Sequence, residues 1–343
     1  MYTLTKWHSS FSADPAAALV KVRPINLDVA SPESFEQARN WITLCDDEHT
    51  ECSDWMSDAM PLRVIDVSPS LGDFVCLQET NGRFFHFVAL SYCWGTKGFL
   101  TTRSVNLSQH MQGIGFSGLP LTMQDAIRCT RQLGLRYIWI DALCIVQDDD
   151  VEKHREISRM KDFYRSAYLT ISASSAEACQ EGFLQKRQSY DPSFELRVAC
   201  LGGRMGRLQL VELQQQPHPR MILCPGAEPI SYRAWTTQES LLSSRVLIYG
   251  RLQLFWLCRR TFIGDGGNTI WRVFKNHSAW QQLDLSEKGS CNEELVPNSQ
   301  FRSSFDKYHN EWTSLICSYS GRNTSYQEDK LPALSAIASL FQN

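Results

Sequence analysis

The longest regular pattern of apolar and polar positions lies at residues 119–149, LPLTMQDAIRCTRQLGLRYIWIDALCIVQDD. Apolar residues recur at helical spacing over 122–133, Thr122 and Asp125 have the spacing of an N-terminal capping box, and Gly134 predicts the end of the helix. The apolar run 137–140 then predicts a central parallel strand that ends at Asp141. Ligands of open α/β sheets bind outside the carboxyl ends of the strands, so we expect a pocket at Asp141.

The same alternation of strands and helices extends on both sides of this stretch. Apolar runs predict parallel strands, and 3.6-residue periodicity predicts helices packed on the sheet. Together they indicate an α/β fold with a doubly wound, mainly parallel sheet. The predicted strands are 87–93, 136–142, 168–173 and 246–250, and the predicted helices are 122–133, 154–166 and 236–242.

Three regions are expected along the chain. Residues 1–80 form an N-terminal lead-in, irregular to about residue 32 and followed by a helix and short strands. Residues 81–262 form the α/β domain, with an insert at 180–230 that contains a β-hairpin around Gly202 and Gly203. Residues 263–343 predict a mostly helical C-terminal region, whose last helix has Leu331, Leu334, Ile337 and Phe341 on one face. This unpartnered apolar stripe favours a protein that continues beyond Asn343.

Composition and charge exclude several classes of partner. The 34 basic and 37 acidic residues are nearly balanced, and no dense run of lysine and arginine exists, so neither nucleic acid nor an anionic membrane surface is expected as a partner. No apolar stretch is long enough to span a bilayer. Several of the twelve cysteines lie in apolar strands, which favours reduced thiols and a cytoplasmic protein.

One motif has the residue types of a metal site. Cys45, His49 and Cys52 follow a C-x3-H-x2-C spacing on a predicted helix, and thiolate and imidazole groups are zinc ligands. A structural zinc site needs four ligands, whereas this stretch supplies three. The alternative is that the two cysteines belong to an apolar helix face and that His49 is a polar neighbour.

Two further groups of residues are candidates for a binding site. Ser91, Tyr92 and Trp94 lie where the strand in ALSYCWGT ends, and Trp235 and Glu239 are four residues apart on one helix face. For the aromatic residues the alternative is packing at the rim of the core. For Glu239 it is a surface ion pair with Arg233 or Arg245.

Three segments resemble the sequence blocks of the fungal heterokaryon incompatibility (HET) domain. They are ALSYCWGT, the 119–149 stretch and RAWTTQESLLSSRVL, in the order and spacing of that family over roughly residues 40–260. The chain departs at Ala234, where a glycine is common, and at Thr237, where an aliphatic residue is common. The resemblance implies a role in fungal non-self recognition and programmed cell death, with an upstream sensor or incompatibility partner and self-association on activation.

The family is remotely similar to TIR domains, so the resemblance implies a TIR-like, flavodoxin-like fold. Ser91 and Tyr92, then Asp141, then Trp235 with Glu239 match TIR positions in order. Many TIR domains cleave NAD at the nicotinamide bond, which implies a glycohydrolase with Glu239 as the catalytic residue and NAD as substrate, with no cofactor. Tyr92, Trp94 or Trp235 would then stack on a flat ring, and Asp141 would bind a ribose hydroxyl.

Two other function classes remain open at this point. In one, the domain is a non-enzymatic, self-associating signalling module. In the other, it is a metabolic enzyme that uses Cys93 or Cys144 as a nucleophile, with His86 or His154 as a base that is distant in sequence.

Overall fold

The protein is built on a large mixed sheet. A computed structural model describes residues 4–9, 14–19, 23–55, 59–187, 194–213, 228–267, 309, 312–313, 315–324 and 327–339. Within these residues, nine strands form one sheet in the order β12-β11-β10-β7-β4-β6-β2-β3-β5. Its strands are β2 (Arg63–Asp66), β3 (Phe74–Glu79), β4 (Phe87–Ser91), β5 (Ile114–Gly115), β6 (Tyr137–Trp139), β7 (Leu169–Ser172), β10 (Arg245–Tyr249), β11 (Leu254–Cys258) and β12 (Phe262–Gly264).

The centre of the sheet is parallel, as the sequence predicted. Strand β4 pairs in parallel with β6 and β7, and β7 pairs in parallel with β10. Numbered by their order in the chain, these four strands lie 2-1-3-4, which is the arrangement of flavodoxin-type doubly wound sheets. The flanking strands β11, β12, β2, β3 and β5 pair antiparallel, so the sheet as a whole is mixed around its parallel centre. Short hairpin connections such as those between β10, β11 and β12 allow only antiparallel pairing.

Helices cover the sheet. They are α1 (Pro32–Glu48), α2 (Leu107–Gln112), α3 (Leu121–Gln132), α4 (Asp141–Cys144), α5 (Asp150–Ser166), α6 (Trp235–Leu242) and α7 (Pro332–Ala338). Every residue of β2, β4, β7, β10 and β11 is buried. Successive side chains of a strand point to opposite faces, so both faces of the central sheet are covered. No described helix combines the length and the apolar character needed to cross a bilayer.

The start of α3 differs from the predicted capping box. Pro120 is the N-cap residue and supplies no side-chain cap. Thr122 and Asp125 are buried instead, and they accept hydrogen bonds from a distant loop: Gly182 N–H to Thr122 Oγ1 at 3.1 Å and Phe183 N–H to Asp125 Oδ2 at 2.8 Å. The two polar side chains therefore hold the loop that follows β7 rather than the helix's own first turn.

A smaller sheet stands apart from the large one. The predicted hairpin is confirmed as β8 (Phe194–Ala199) and β9 (Met205–Leu213), joined by a turn in which Gly202 has a positive φ. Strand β1 (Leu4–Ser9) pairs antiparallel with β9, so the prediction of an irregular start to the chain is wrong for these residues. Pairing between segments about 200 residues apart leaves no periodic signal in either of them.

Residues from both predicted flanking regions contact the predicted α/β domain. Strands β2 and β3, from the predicted lead-in, belong to the large sheet, and α7 packs on α6. The stripe predicted on the last helix is only partly correct, because Ile337 is buried whereas Leu331 is 77% exposed. Phe341 lies outside the described residues. The division of the chain into three regions stays a prediction.

Candidate active site

The carboxylate of Glu239 lies against the end of β4. Glu239 is 5% exposed, and Ser91 Oγ donates a hydrogen bond to Glu239 Oε2. The hydroxyl of Tyr164, on α5, donates a hydrogen bond to the Leu90 carbonyl at 3.0 Å, and its proximity to Glu239 lowers the pKa of that carboxyl group. Four consecutive residues of α6, 236–239, are buried, because this short helix packs between α5 and the C-terminal segment. The carboxyl group of Glu239 therefore lies in the protein interior.

A second carboxylate, Asp141, lies where β6 passes into α4. It accepts hydrogen bonds from Tyr92 Oη at 3.0 Å, Trp94 Nε1 at 2.9 Å and the Ala142 N–H at 2.7 Å. Burial raises the pKa of Asp141, and the nearby Arg233 guanidinium and these donors oppose that rise. Strands β4 and β6 are adjacent and parallel, so their carboxyl ends bring the Ser91–Trp94 segment and Asp141 to the same edge of the sheet.

The positive charge of Arg233 lowers the pKa of both carboxyl groups, Glu239 and Asp141. Arg233 lies two residues before α6, is partly buried, and donates from NH1 to the Tyr92 carbonyl. Burial raises the pKa of Glu239 to about 7, and the negative charge of Asp141 adds to this rise. The positive charge of Arg233 and the hydrogen bond from Ser91 act in the opposite direction. Glu239 therefore exchanges its proton near neutral pH, the range in which a carboxyl group can serve in acid–base or electrostatic catalysis.

Removing the charge of Arg233 is expected to raise the pKa of Glu239 by about one to three, because an adjacent cation typically lowers a carboxyl pKa by that much. The Arg233→Met protein can be compared with the parent by NMR titration of the labelled glutamate carboxyl carbons. Arg251→Met is the matched control, since Arg251 pairs with Glu177 at 2.8 Å rather than with Glu239. An unchanged Glu239 titration in Arg233→Met would contradict the electrostatic role of Arg233.

The structure brings together five of the six residues predicted for the site: Ser91, Tyr92, Trp94, Asp141 and Glu239. The sixth, Trp235, contacts the C-terminal segment instead. Its Nε1 is 3.4 Å from Asp329 Oδ2, and its ring packs against Ala234, Tyr319 and Ala333. A stacking role for Trp235 stays a prediction.

Sequence reasoning missed two members of this cluster. Arg233 was considered only as a surface partner of Glu239, and Tyr164 lies within the predicted helix 154–166 with no predicted role in the site. Arg233 does stand at the start of the RAWTTQES block, two residues before the helix that carries Glu239. A basic residue at that point was an available signal. Tyr164 gave none, because a tyrosine on an apolar helix face usually serves packing.

The part of the cluster around Glu239 is closed to solvent, whereas Trp94, Asp141 and Arg233 are half-buried. Ser91, Tyr92 and Glu239 are each at most 5% exposed. The C-terminal segment lies across the beginning of α6: Arg322 NH1 donates to the Arg233 carbonyl at 3.2 Å, and the Ala234 N–H donates to the Asn323 carbonyl at 2.8 Å. A surface depression of about 320 Å³ lies elsewhere and is lined by residues that include Phe35, Leu121 and Arg128. A ligand as large as a dinucleotide would reach Glu239 only after displacement of its cover.

The cysteine nucleophiles considered from the sequence are poorly suited to that role. Burial raises the pKa of Cys93 to about 11 and also raises that of Cys144. Both groups are therefore thiols at neutral pH, and the thiolate is the reactive form. The two candidate bases have other contacts, since His86 stacks on Tyr168 with ring centroids 5.3 Å apart and His154 Nδ1 lies 2.6 Å from the Asp150 carbonyl.

The predicted metal motif acquires a fourth residue. Cys45, His49 and Cys52 at the end of α1 meet Cys258, the last residue of β11, and one donor atom from each lies within 4.8 Å of the others. This second cluster consists of different residues from those around Glu239.

Comparison with known proteins agrees with the sequence blocks. The family model described as "Heterokaryon incompatibility protein (HET)" matches residues 87–239, from β4 to Glu239 of α6. "Heterokaryon incompatibility protein 6, OR allele" of Neurospora crassa is 33% identical over 94 residues, which are 25% of this chain and 14% of that relative. The chain thus matches only a small part of the relative's length, and no solved structure matches it. The strand ends, the site helix and the matched blocks, in the family's order, thus identify residues 87–239 as a heterokaryon incompatibility (HET) domain.

Proposed function

We propose that this protein acts in fungal non-self recognition as an effector of cell death, and that it does so by cleaving NAD at the nicotinamide bond. The name of its relative and the family match support the first part. One observation carries the second: a buried carboxylate with a pKa of about 7, Glu239, is grouped with Ser91, Arg233 and Asp141 at the carboxyl edge of a parallel sheet. The remote TIR likeness of the same positions favours NAD over other substrates.

The chemistry requires a negative charge at one point. When the bond between ribose C1′ and the nicotinamide nitrogen breaks, its electron pair neutralises the pyridinium, and the ribose acquires oxocarbenium character. The ionised Glu239 stabilises that positive charge. Water then adds to C1′ and releases a proton, so the products are nicotinamide, ADP-ribose and H⁺. Ser91 and Arg233 favour the ionised form of Glu239 that this step needs.

The remaining site residues act as positioning groups in this proposal. Asp141 accepts hydrogen bonds from Tyr92 and Trp94 at 3.0 and 2.9 Å, and a ribose hydroxyl is a donor of the same kind. The rings of Tyr92 and Trp94 offer flat apolar surface to a base or to nicotinamide. Opening of the cover over Glu239 is the step that an upstream partner, or self-association, would promote.

The direct test is turnover by the purified chain. The protein is incubated with NAD over a range of protein concentrations, and free nicotinamide is measured by chromatography. We expect nicotinamide release, with a rate per molecule that rises as the protein self-associates. A chain that self-associates, as judged by light scattering, and releases no nicotinamide at any concentration is a non-enzymatic signalling module, and the proposed NAD cleavage is then wrong.

A further inference from the structure

A compact cluster of zinc-type ligands joins the end of α1 to the end of β11. Cys45 and Cys52 are fully buried, Cys258 is 2% exposed and His49 is 6% exposed. Cys258 Sγ and His49 Nδ1 lie 3.3 Å apart although the residues are 209 positions apart in the chain. All three thiols are free, with no disulfide between them.

The spacing of these atoms suits a tetrahedral ion. Zinc–sulfur bonds of about 2.3 Å and zinc–nitrogen bonds of about 2.0–2.1 Å put neighbouring ligand atoms roughly 3.5–3.8 Å apart. The four donor atoms here lie within 4.8 Å of one another. Shifts of about 1 Å or less would therefore complete the coordination, without movement of a backbone element.

The turn after β11 supplies hydrogen bonds to sulfur. The Thr261 N–H donates to Cys258 Sγ at 3.3 Å, the Thr261 hydroxyl also lies 3.3 Å from that sulfur, and the Cys258 N–H donates to the Thr261 carbonyl at 2.9 Å. Donors that point at sulfur favour the thiolate, which is the form that binds metal.

The same turn holds the chain on either side of His49. Arg260 NH1 donates to the Glu48 carbonyl and Arg259 NH1 donates to the Glu51 carbonyl, both at 2.9 Å. These contacts fix the backbone that carries His49 and Cys52 against the end of β11. The ligand geometry is thus set by protein contacts before any ion binds.

We propose that Cys45, His49, Cys52 and Cys258 bind one structural Zn²⁺ ion. Three thiolates and one imidazole fill a tetrahedral shell and leave no position for water or substrate, which is the pattern of structural rather than catalytic zinc. The mixture of sulfur and nitrogen ligands favours zinc over magnesium or calcium, which take oxygen ligands. The ion fastens α1 to the antiparallel side of the sheet, at residues outside the 87–239 family match.

The first measurement is the metal content of the folded wild-type chain. We expect about one zinc per chain by plasma mass spectrometry after dialysis against metal-free buffer. Cobalt added to chain stripped of its metal should give the visible d–d bands and the thiolate charge-transfer absorption of a tetrahedral site. A folded wild-type chain that contains no zinc, and shows no such cobalt spectrum, would overturn the proposal and leave a cluster of buried thiols.

Cysteine variants locate the site. Cys258→Ser and Cys45→Ser are each expected to lower the zinc content at least tenfold. Cys317→Ser, at an exposed free cysteine, and Cys129→Ser, at a buried cysteine whose sulfur is 3.3 Å from Tyr249 Oη, should keep the wild-type content. Retention of full zinc by a folded Cys258→Ser chain would refute this ligand set. If the ligand variants do not fold, the wild-type cobalt spectrum alone decides. None of these readouts depends on cleavage of NAD.

Discussion

Glu239→Gln is expected to lower the rate of nicotinamide release by about 100- to 1,000-fold, the usual effect of removing one preorganised electrostatic contact from an active site. Glutamine keeps the volume and the hydrogen bond from Ser91 but cannot stabilise a developing positive charge on ribose. The decrease corresponds to about 2.7–4 kcal/mol in the barrier. Initial rates at saturating NAD measure it, and cell death on expression should decrease in parallel.

The matched control for this variant is Glu228→Gln. Glu228 is also buried, burial also raises its pKa, and it accepts a hydrogen bond from the Arg251 N–H at 2.9 Å. It therefore reproduces the general cost of neutralising a buried glutamate, and we expect it to retain the parent rate. If Glu239→Gln cleaves NAD and kills as well as the parent protein, Glu239 is not catalytic.

The second large effect is the pH dependence of the free energy of unfolding. The pKa of Glu239 is about 7 in the folded chain, against an ordinary value of 4.5. Between these two values the folded protein holds a proton that the unfolded chain has released. The contribution of Glu239 to the free energy of unfolding is therefore fully present below pH 4.5 and is lost as the pH rises towards 7. Above pH 7 this group causes no further change. The difference between these two pKa values corresponds to about 3 kcal/mol.

Comparison with Glu239→Gln isolates this contribution, because the other titrating groups are common to both proteins. Urea unfolding of the pair at several pH values should show the parent losing about 3 kcal/mol relative to the variant between pH 4.5 and 7.5. Stability curves that run parallel over this range would mean that Glu239 is ionised in the fold with an ordinary pKa. The proposed site electrostatics would then be wrong.

The burial of Glu239 underlies both of these predictions. The burial that keeps water from Glu239 also raises its pKa, and the segment around Arg322 and Asn323 contributes to the cover. Exposure of Glu239 would lower its pKa towards the ordinary range, and the ionised carboxylate is the form that the proposed cleavage uses. Opening of the site and ionisation of Glu239 would thus favour each other.

Much of the α/β core was predictable, because its signals are local. Helix α3, strand β6 and the position of Asp141 follow from one uninterrupted pattern, and the hairpin of β8 and β9 follows from paired glycines at a turn. The shared edge of the sheet brought Tyr92, Trp94 and Asp141 together, because parallel neighbouring strands end at the same side. The direction of the strands in the backbone is therefore enough to predict that these three residues lie near one another.

Contacts between distant segments were decided only by the tertiary structure. Cys258 completes a cluster that begins at Cys45, β1 pairs with β9, and Thr122 and Asp125 hold a loop 58 to 60 residues away. Each depends on where two separate elements pack, and no periodicity within either element records its partner. The same reason explains why Trp235 faces the C-terminal segment while Glu239, four residues later, enters the core. Helical spacing places the two side chains on one face of α6, and the packing of α5 and α7 around that helix determines what each of them meets.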